Sequence, residues 1–168
     1  EEYDGNPILK AETEIEKGIP YNDTYSYSAS ASPFSDGVWY DSDAGLFKMW
    51  YRAGSYYGTA LATSKDGINW ERGEYDVVPG TNLIMTPKET NFRDSTATII
   101  NPFAKISSEK YSMFQTQDPT QPNKLVGKIY TSADGIHWTY RTSTSVIGDR
   151  STMFYNPFRN KWVYSIRS

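Results

Sequence analysis

Three aspartates stand just before short segments rich in apolar residues, and carboxylates in such positions can do acid–base chemistry. They are Asp36 in SDGVWY, Asp94 in FRDSTATIINP and Asp149 in GDRSTMFYNP. A set of carboxylates can divide the work of cleaving a glycosidic bond. One protonates the leaving oxygen, and the others act as base, nucleophile or stabiliser of the oxocarbenium-like transition state. All three are therefore candidate catalytic residues.

The spacing supports two of these aspartates better than the third. Asp94 stands as far before Asn101 as Asp149 stands before Asn156, and a proline follows each asparagine. Asp36 fits the same alignment only after a slip of two residues. The alternative interpretation is that an aspartate before a strand only caps the local turn.

Arginine flanks both of the well-aligned aspartates. Arg93 precedes Asp94, and Arg150 follows Asp149. A guanidinium beside a carboxylate can hold it ionised or can bind the hydroxyl groups of a substrate. Arg93 and Arg150 are therefore predicted to bind substrate.

The composition excludes several other kinds of chemistry. The chain of 168 residues has no cysteine, which excludes disulfides, thiolate catalysis and cysteine-ligated zinc. A single histidine, His137, argues against a histidine-rich metal site or a Ser-His-Asp triad. We expect neither a metal nor a cofactor, so any catalysis must rest on carboxylates, Arg, Lys or Tyr.

The charge balance bears on the partners of the chain. The formal net charge is -3, and Lys and Arg are scattered without a basic run, which argues against nucleic acid and anionic membranes as partners. No apolar stretch approaches the roughly 20 residues that span a bilayer. Zero cysteine is compatible with a secreted or periplasmic protein and equally with a cytosolic one; we expect the former, with a signal peptide absent from this chain.

The elements that must position these residues are strands. Aromatic residues make up 15% of the chain, and no segment shows helical periodicity. Two sets of four short strands are predicted, the first GVWYD, LFKMWYRA, YGTALATS and NWERG, the second STATIIN, KYSMFQTQ, VGKIYTS and HWTYRT. STMFYNP and KWVYSIR begin a third set.

The same phrase closes the third strand of both sets. SKDGINW ends at Trp70 and SADGIHW ends at Trp138. Asp-Gly is typical of type I′ hairpins, whose two central residues need positive φ. The phrase therefore predicts a repeated turn with a structural role, and it places His137 in an outer hairpin away from any catalytic position.

Repeated four-stranded meanders are typical of β-propeller blades. We predict an all-β chain with an N-terminal extension at 1–33, blade 1 at 34–80, blade 2 at 92–145 and half of blade 3 at 148–168. About two and a half blades do not close a propeller, so the chain is expected to be part of a longer protein. Its exposed blade faces predict possible self-association.

These motifs resemble a known superfamily. FRDSTATIINP is similar to the Phe-Arg-Asp-Pro motif of glycoside hydrolases of the invertase and levanase type, and NPILK and DGVWYDSDAGLFKMWYRAG resemble the entry and first blade of that superfamily. Arabinanases and xylosidases share its five-bladed β-propeller. The resemblance implies a five-bladed complete protein that cleaves an oligosaccharide or polysaccharide.

The resemblance also implies roles for single residues. Asp94 matches the aspartate that stabilises the transition state, and Arg93 matches its arginine. Asp149 falls where the family carries its general-acid glutamate. Phe34 falls at the position of the nucleophile, and Asp36 can take that role only if the loop is shifted.

Two alternatives remain open. The missing first-blade nucleophile motif is compatible with a non-catalytic propeller that binds carbohydrate or serves as a scaffold. It is also compatible with an enzyme similar to mannoside phosphorylases, which use phosphate as the attacking group and need fewer protein carboxylates.

Aromatic residues offer further contacts for a sugar. Tyr56 and Tyr57 lie at a predicted hairpin and are expected to bind substrate through their exposed rings. Trp39 and Trp50 alternate into the predicted core and are expected to pack between blades.

Overall fold

The computed structural model describes residues 3–18, 29–54, 58–85, 96–117 and 125–167. Within these ranges the chain forms nine strands, one α-helix, α1 (Glu14–Lys17), and one 3₁₀ helix (Ser107–Glu109). None of the helices in the described ranges is long and apolar enough to cross a membrane. The dominance of strands follows from the aromatic and β-branched segments of the sequence.

The first meander contains three strands: β1 (Ala31–Asp41), β2 (Leu46–Ala53) and β3 (Gly58–Ser64). β1 pairs antiparallel with β2, and β2 with β3. Isolated bridges take the place of the predicted fourth strand. Glu71 pairs with Thr63 of β3, whereas Ala60 of the same strand pairs with Leu83, which is distant from Glu71 in the sequence. The prediction of a continuous fourth strand at 69–73 is therefore wrong, since the chain leaves the sheet between these two pairings.

The second meander contains four antiparallel strands: β4 (Thr96–Ile100), β5 (Tyr111–Gln117), β6 (Val126–Ser132) and β7 (Thr139–Val146). A separate hairpin follows, made of β8 (Thr152–Asn156) and β9 (Lys161–Ser165). One parallel pair, Ser35 with Ala97, joins β1 to β4. The result is one sheet in the order β3-β2-β1-β4-β5-β6-β7, in which β1 and β4 run side by side in the same direction.

Three apolar layers separate these units. The layer between the two meanders contains buried Trp50, Leu61, Met113 and Tyr111. The layer between the second meander and the hairpin contains Ile99, Phe114, Ile147 and Met153. The third layer lies on the other face of the first meander and is partly covered by Leu9 and Ile15 from the N-terminal segment. Each sheet therefore buries its faces against the next element in the chain.

Trp50 makes the most specific contact between the meanders. Its side chain is fully buried, and its Nε1 donates a hydrogen bond of 2.8 Å to the carbonyl oxygen of Gly135. A Cβ atom at Gly135 would lie 2.6 Å from the Trp50 ring, and the φ of Gly135 is 83°. Only glycine satisfies both conditions.

Both Asp-Gly turns are built in the same way. The Ser64 hydroxyl accepts a hydrogen bond from the Gly67 amide, and the Asp66 carboxylate accepts from the amides of Ile68 and Asn69. Ser132 and Asp134 make the equivalent bonds in the second turn. The structural role predicted for the phrase is confirmed. The prediction of type I′ geometry is wrong, because only the glycine of each turn has positive φ. Hydrogen bonds to the serine and aspartate side chains hold the other residues of the turn.

The N-terminal segment is attached through a buried carboxylate. Thr13 and Glu16 form a capping box around α1. The Glu16 carboxylate is fully buried and accepts hydrogen bonds from the Tyr51 hydroxyl at 2.6 Å and from Arg72 Nε at 2.7 Å. Burial raises the pKa of Glu16, but the hydrogen bonds from Arg72 and Tyr51 outweigh burial and lower it. The Glu16 carboxylate is therefore ionised at neutral pH, and the guanidinium of Arg72 balances its charge.

A second buried carboxylate joins the two meanders. Asp41 ends β1 and is 2% exposed. Lys110 Nζ lies 2.8 Å and Lys48 Nζ 3.1 Å from its oxygens, and the Tyr111 hydroxyl donates to it. Burial raises the pKa of Asp41, but the hydrogen bonds from Lys110, Tyr111 and Lys48 hold it well below its usual range.

We expect Asp41→Asn to lower the free energy of unfolding by about 3 kcal/mol, because it leaves two lysines facing a site without charge. Asp43→Asn is the matched control: Asp43 also pairs with Lys110, at 2.9 Å, but is exposed, and it should cost less than about 1 kcal/mol. Urea unfolding of the three proteins at pH 7 measures both values.

The effect of Asp41 should depend on pH. Its pKa in the folded protein lies below its unfolded value of about 4, so its contribution is complete above pH 4 or so and declines as the pH falls. The difference between wild type and Asp41→Asn should therefore be smaller at about pH 3 than at about pH 7. Equal losses in the Asp41 and Asp43 variants, or a difference that grows towards acid pH, would contradict this account.

Candidate active site

A bulge near the start of β1 carries one of the predicted catalytic residues. Pro33 stands opposite Tyr51 and Val38 opposite Met49, so residues 34–37 all face the single position of Trp50 on β2. The chain must fold out of the strand to accommodate them. The candidate aspartate Asp36 lies in this bulge.

Each residue of the bulge has a distinct environment. Phe34 is buried in the layer between the meanders. A Cβ atom at Gly37 would lie 2.6 Å from the carbonyl oxygen of Trp50, so the bulge closes only with glycine there. Asp36 is exposed and has a φ of 51°. Among the described residues, no hydrogen bond or ion pair engages its carboxylate.

The bulge lies beside the beginning of β4. Ser35 pairs with Ala97, the second residue of β4, and Asp36 directly follows Ser35. Asp94 precedes β4 by two residues in the chain but lies outside the described residues, as does Arg93. The chemistry assigned to these two residues therefore remains a prediction, as does that of Tyr56 and Tyr57, which also lie outside the described residues.

Asp149 occupies the turn before β8. Its carboxylate accepts a hydrogen bond from the guanidinium of Arg167, a residue that follows β9. The Gly148 amide donates to the carbonyl oxygen of Arg167 at 2.6 Å, and the Arg167 amide donates to the Ser151 hydroxyl at 3.1 Å. Arg167 thus fixes the turn that presents Asp149. Among the described residues, no direct contact joins Asp149 to Asp36.

Left-handed backbone conformation coincides with two of the predicted site residues. Among the described residues other than glycine, positive φ occurs at Asp36, at Arg150 with 60°, and at Asn160 with 53°. Asn160 lies in the β8–β9 turn, where asparagine commonly adopts this conformation. Aspartate adopts it more readily than most residues, as asparagine does, so its cost at Asp36 is smaller than the roughly 1–2 kcal/mol expected for Arg150. Such conformations are often found at functional sites.

Sequence reasoning missed two residues of this region. It did not single out Arg167, because no local pattern indicates that a residue after β9 returns to the turn before β8. It treated Trp39 only as a core residue, yet the Trp39 indole also hydrogen-bonds to backbone atoms of the bulge and of β4. Only the register of the sheet reveals either contact.

His137 does not take part in this region. Its Nδ1 lies 2.7 Å from Asp134 and its Nε2 lies 2.8 Å from Asp76. Hydrogen bonds with these two carboxylates raise the pKa of His137. The histidine therefore ties the second Asp-Gly turn to the 72–81 segment.

A cavity of about 660 Å³ lies between the N-terminal segment and the first meander. Its lining includes Met49, Gly67 and Trp70. The equivalents in the second meander, among them Gly135 and Trp138, contact Trp50. Because the equivalent residues of the second meander pack against a neighbouring sheet, we infer that the cavity also lies on a surface that packs against another element. None of the predicted site residues lines it.

Comparison with known proteins gives a likeness of fold. No family model matches the chain, and no significant match occurs among curated proteins. A solved fructofuranosidase from Schwanniomyces occidentalis complexed with fructose is 19% identical, with a TM-score of 0.55 over 81% of this chain and 29% of that one. A β-fructofuranosidase from the same organism complexed with fructosyl-erythritol is 18% identical, with a TM-score of 0.56 over 82% of this chain and 29% of that one.

These comparisons confirm the predicted fold class: the chain is all-β and has the arrangement of part of a β-propeller. It spans 29% of the length of the two solved structures. At such low identity the likeness is one of fold alone, and activity has to be argued from the site.

The left-handed conformation of Asp36 gives a testable effect on stability. Because Cβ clashes with the backbone at positive φ and glycine does not, Asp36→Ala should be about 1 kcal/mol less stable than Asp36→Gly. Asp4, which is also exposed and also precedes glycine, serves as control: its φ is not positive, so Asp4→Ala should be at least as stable as Asp4→Gly. Thermal and urea unfolding of the four variants would contradict the bulge geometry if Asp36→Ala equalled or exceeded Asp36→Gly.

Proposed function

We propose that the chain forms part of a glycoside hydrolase that cleaves an oligosaccharide or polysaccharide beside the three candidate aspartates, which lie in or just before β1, β4 and β8; we call this region the mouth. The observation that carries the proposal is Asp36, an exposed carboxylate held at a φ of 51° beside the start of β4. Glycine adopts this conformation at lower cost, so a carboxylate kept at the position is understandable if that side chain has a task.

The three aspartates divide the reaction. Asp36 acts as the nucleophile or as the base for water, and Asp94 stabilises the oxocarbenium-like transition state. Asp149 is the general acid once substrate binding displaces its ion pair with Arg167, because a general acid must carry a proton. Arg93 and Arg150 bind substrate hydroxyls, as their positions beside Asp94 and Asp149 suggest. No metal or cofactor is needed for these steps.

The β-fructosides are the first substrate class to test. The solved structures with a similar fold are fructofuranosidases in complex with fructose and with fructosyl-erythritol. This likeness supports a sugar-cleaving site in general and gives a starting point within it. A secreted or periplasmic location would bring such an enzyme to its polymeric substrates.

The buried Phe34 favours a second candidate function. By resemblance Phe34 stands at the nucleophile position, yet its ring packs into the core and cannot contact a sugar. A non-catalytic carbohydrate-binding propeller would tolerate this, as would an enzyme that uses inorganic phosphate as the attacking group. The proposal therefore depends on Asp36 standing in for the missing residue.

Replacement of the carboxylates tests the hypothesis that these residues catalyse cleavage of a glycoside. Asp36→Asn and Asp94→Asn should each lower kcat/KM for a cleaved glycoside at least about 100-fold, because each removes a charge that acts in the transition state. Asp4→Asn, the same change at an exposed residue of the N-terminal segment, should leave kcat/KM unchanged. Sugar release from sucrose, inulin, levan and a wider glycan panel would be assayed with and without inorganic phosphate.

The outcomes separate the candidates. Turnover that needs phosphate supports the hypothesis of a phosphorylase. Glycan binding without turnover supports the hypothesis of a non-catalytic carbohydrate-binding propeller. Turnover that survives in both variants would contradict the assignment of the site.

A further inference from the structure

Trp39 connects the bulge of the first meander to the innermost strand of the second. Its single indole N–H lies between two carbonyl oxygens, with Nε1 2.5 Å from that of Asp36 and 2.7 Å from that of Thr98. Asp36 belongs to the bulge and Thr98 to β4. One side chain thus bonds to both sides of the β1–β4 junction.

Backbone pairing at this junction is sparse among the described residues. β1 and β4 share the single residue pair of Ser35 with Ala97, whereas β4 pairs along its whole length with β5. A backbone carbonyl on the unpaired edge of a strand needs a donor if it is shielded from water. Trp39 supplies this donor to Thr98 and shares it with the bulge.

The indole is itself held rigidly. Trp39 is half-buried and packs against both the layer between the meanders and the layer beside the hairpin. A ring wedged between two apolar layers has little freedom to rotate its N–H away. The donor therefore has a fixed position to which the bulge can conform.

We propose that Trp39 is a positioning residue that sets the Asp36 carboxylate against the start of β4 through this shared hydrogen bond. The part of the inference that concerns catalysis rests on the proposed function; the part that concerns the bulge does not. Trp39 itself does not touch the substrate.

Two replacements separate the N–H from the ring. Trp39→Phe removes the donor and part of the ring, and replacement of Trp39 by benzothienylalanine keeps the bicyclic shape and removes only the N–H. Trp70→Phe is the matched control, because the Trp70 N–H bonds only within its own turn, to the carbonyl oxygen of Gly67 at 3.2 Å.

Hydrogen–deuterium exchange is the first readout and needs no substrate. Both Trp39 replacements should speed amide exchange at residues 34–39 and 97–99 about tenfold, with exchange in β5 and β6 unchanged. Trp70→Phe should leave exchange at 34–39 unchanged. Unaltered exchange at the junction in the benzothienylalanine protein would overturn the proposal, whether or not the protein is an enzyme.

Kinetics on the most rapidly cleaved substrate are the second readout. Misplacement of Asp36 should lower kcat about tenfold with KM within about twofold, since the carboxylate acts in the chemical step. Faster exchange with an unchanged kcat would overturn the role in catalysis. This chain alone is expected to be inactive, so the kinetics use the complete protein that contains it. A complete wild-type protein without any turnover would refute the proposed function, and the exchange data would still decide whether Trp39 holds the bulge.

Discussion

The contact between Trp50 and Gly135 is the interaction on which the rest of the structure depends. It seats a fully buried tryptophan of the first meander on the Asp-Gly turn of the second, where any side chain larger than hydrogen would collide with the ring. Burial of a tryptophan contributes on the order of 3 kcal/mol, and it sets the distance and angle between the two sheets. The Asp-Gly turn is therefore a packing contact between sheets, and its serine and aspartate side chains fix the conformation of the turn.

The proposed chemistry resides where the repeat is broken. The two meanders share their turns and much of their core pattern, yet within the described part of the chain only the first carries a bulge in its innermost strand. Phe34 points into the core and Gly37 closes the bulge, which leaves Ser35 and Asp36 exposed, and of these two only Asp36 carries a charge. A regular scaffold of stacked sheets thus presents Asp36 in a left-handed conformation, as expected when a rigid fold carries a functional site.

Local patterns predicted the strands well and the site only partly. Alternating aromatic residues and Gly, Asp or Ser turns located nearly every strand, and β2 begins and ends where LFKMWYRA does. The Asp-Gly phrase located its turns but not their geometry, because side-chain hydrogen bonds replaced the expected positive φ at the aspartates. The interrupted pairing at Glu71 and Leu83 left no local signal.

The register of the strands and the long-range contacts could not be predicted from the sequence. The alignment of Asp36 needed a two-residue slip, and nothing in the sequence predicted the bulge in which residues 34–37 face a single residue of β2. The bond from Arg167 to Asp149 forms only after β8 and β9 fold back. Such contacts depend on how sheets stack, which composition and spacing do not encode.

The central claim is that a sugar binds at the mouth beside Asp36, and a crystal structure of the Asp94→Asn protein soaked with a fructo-oligosaccharide tests it most directly. The account predicts a sugar ring whose reacting carbon lies within about 3.5 Å of the Asp36 carboxylate if Asp36 is the nucleophile, or is separated from it by one water molecule if Asp36 is the base. A sugar bound instead in the cavity beside Trp70, or a mouth without sugar at saturating concentration, would contradict it.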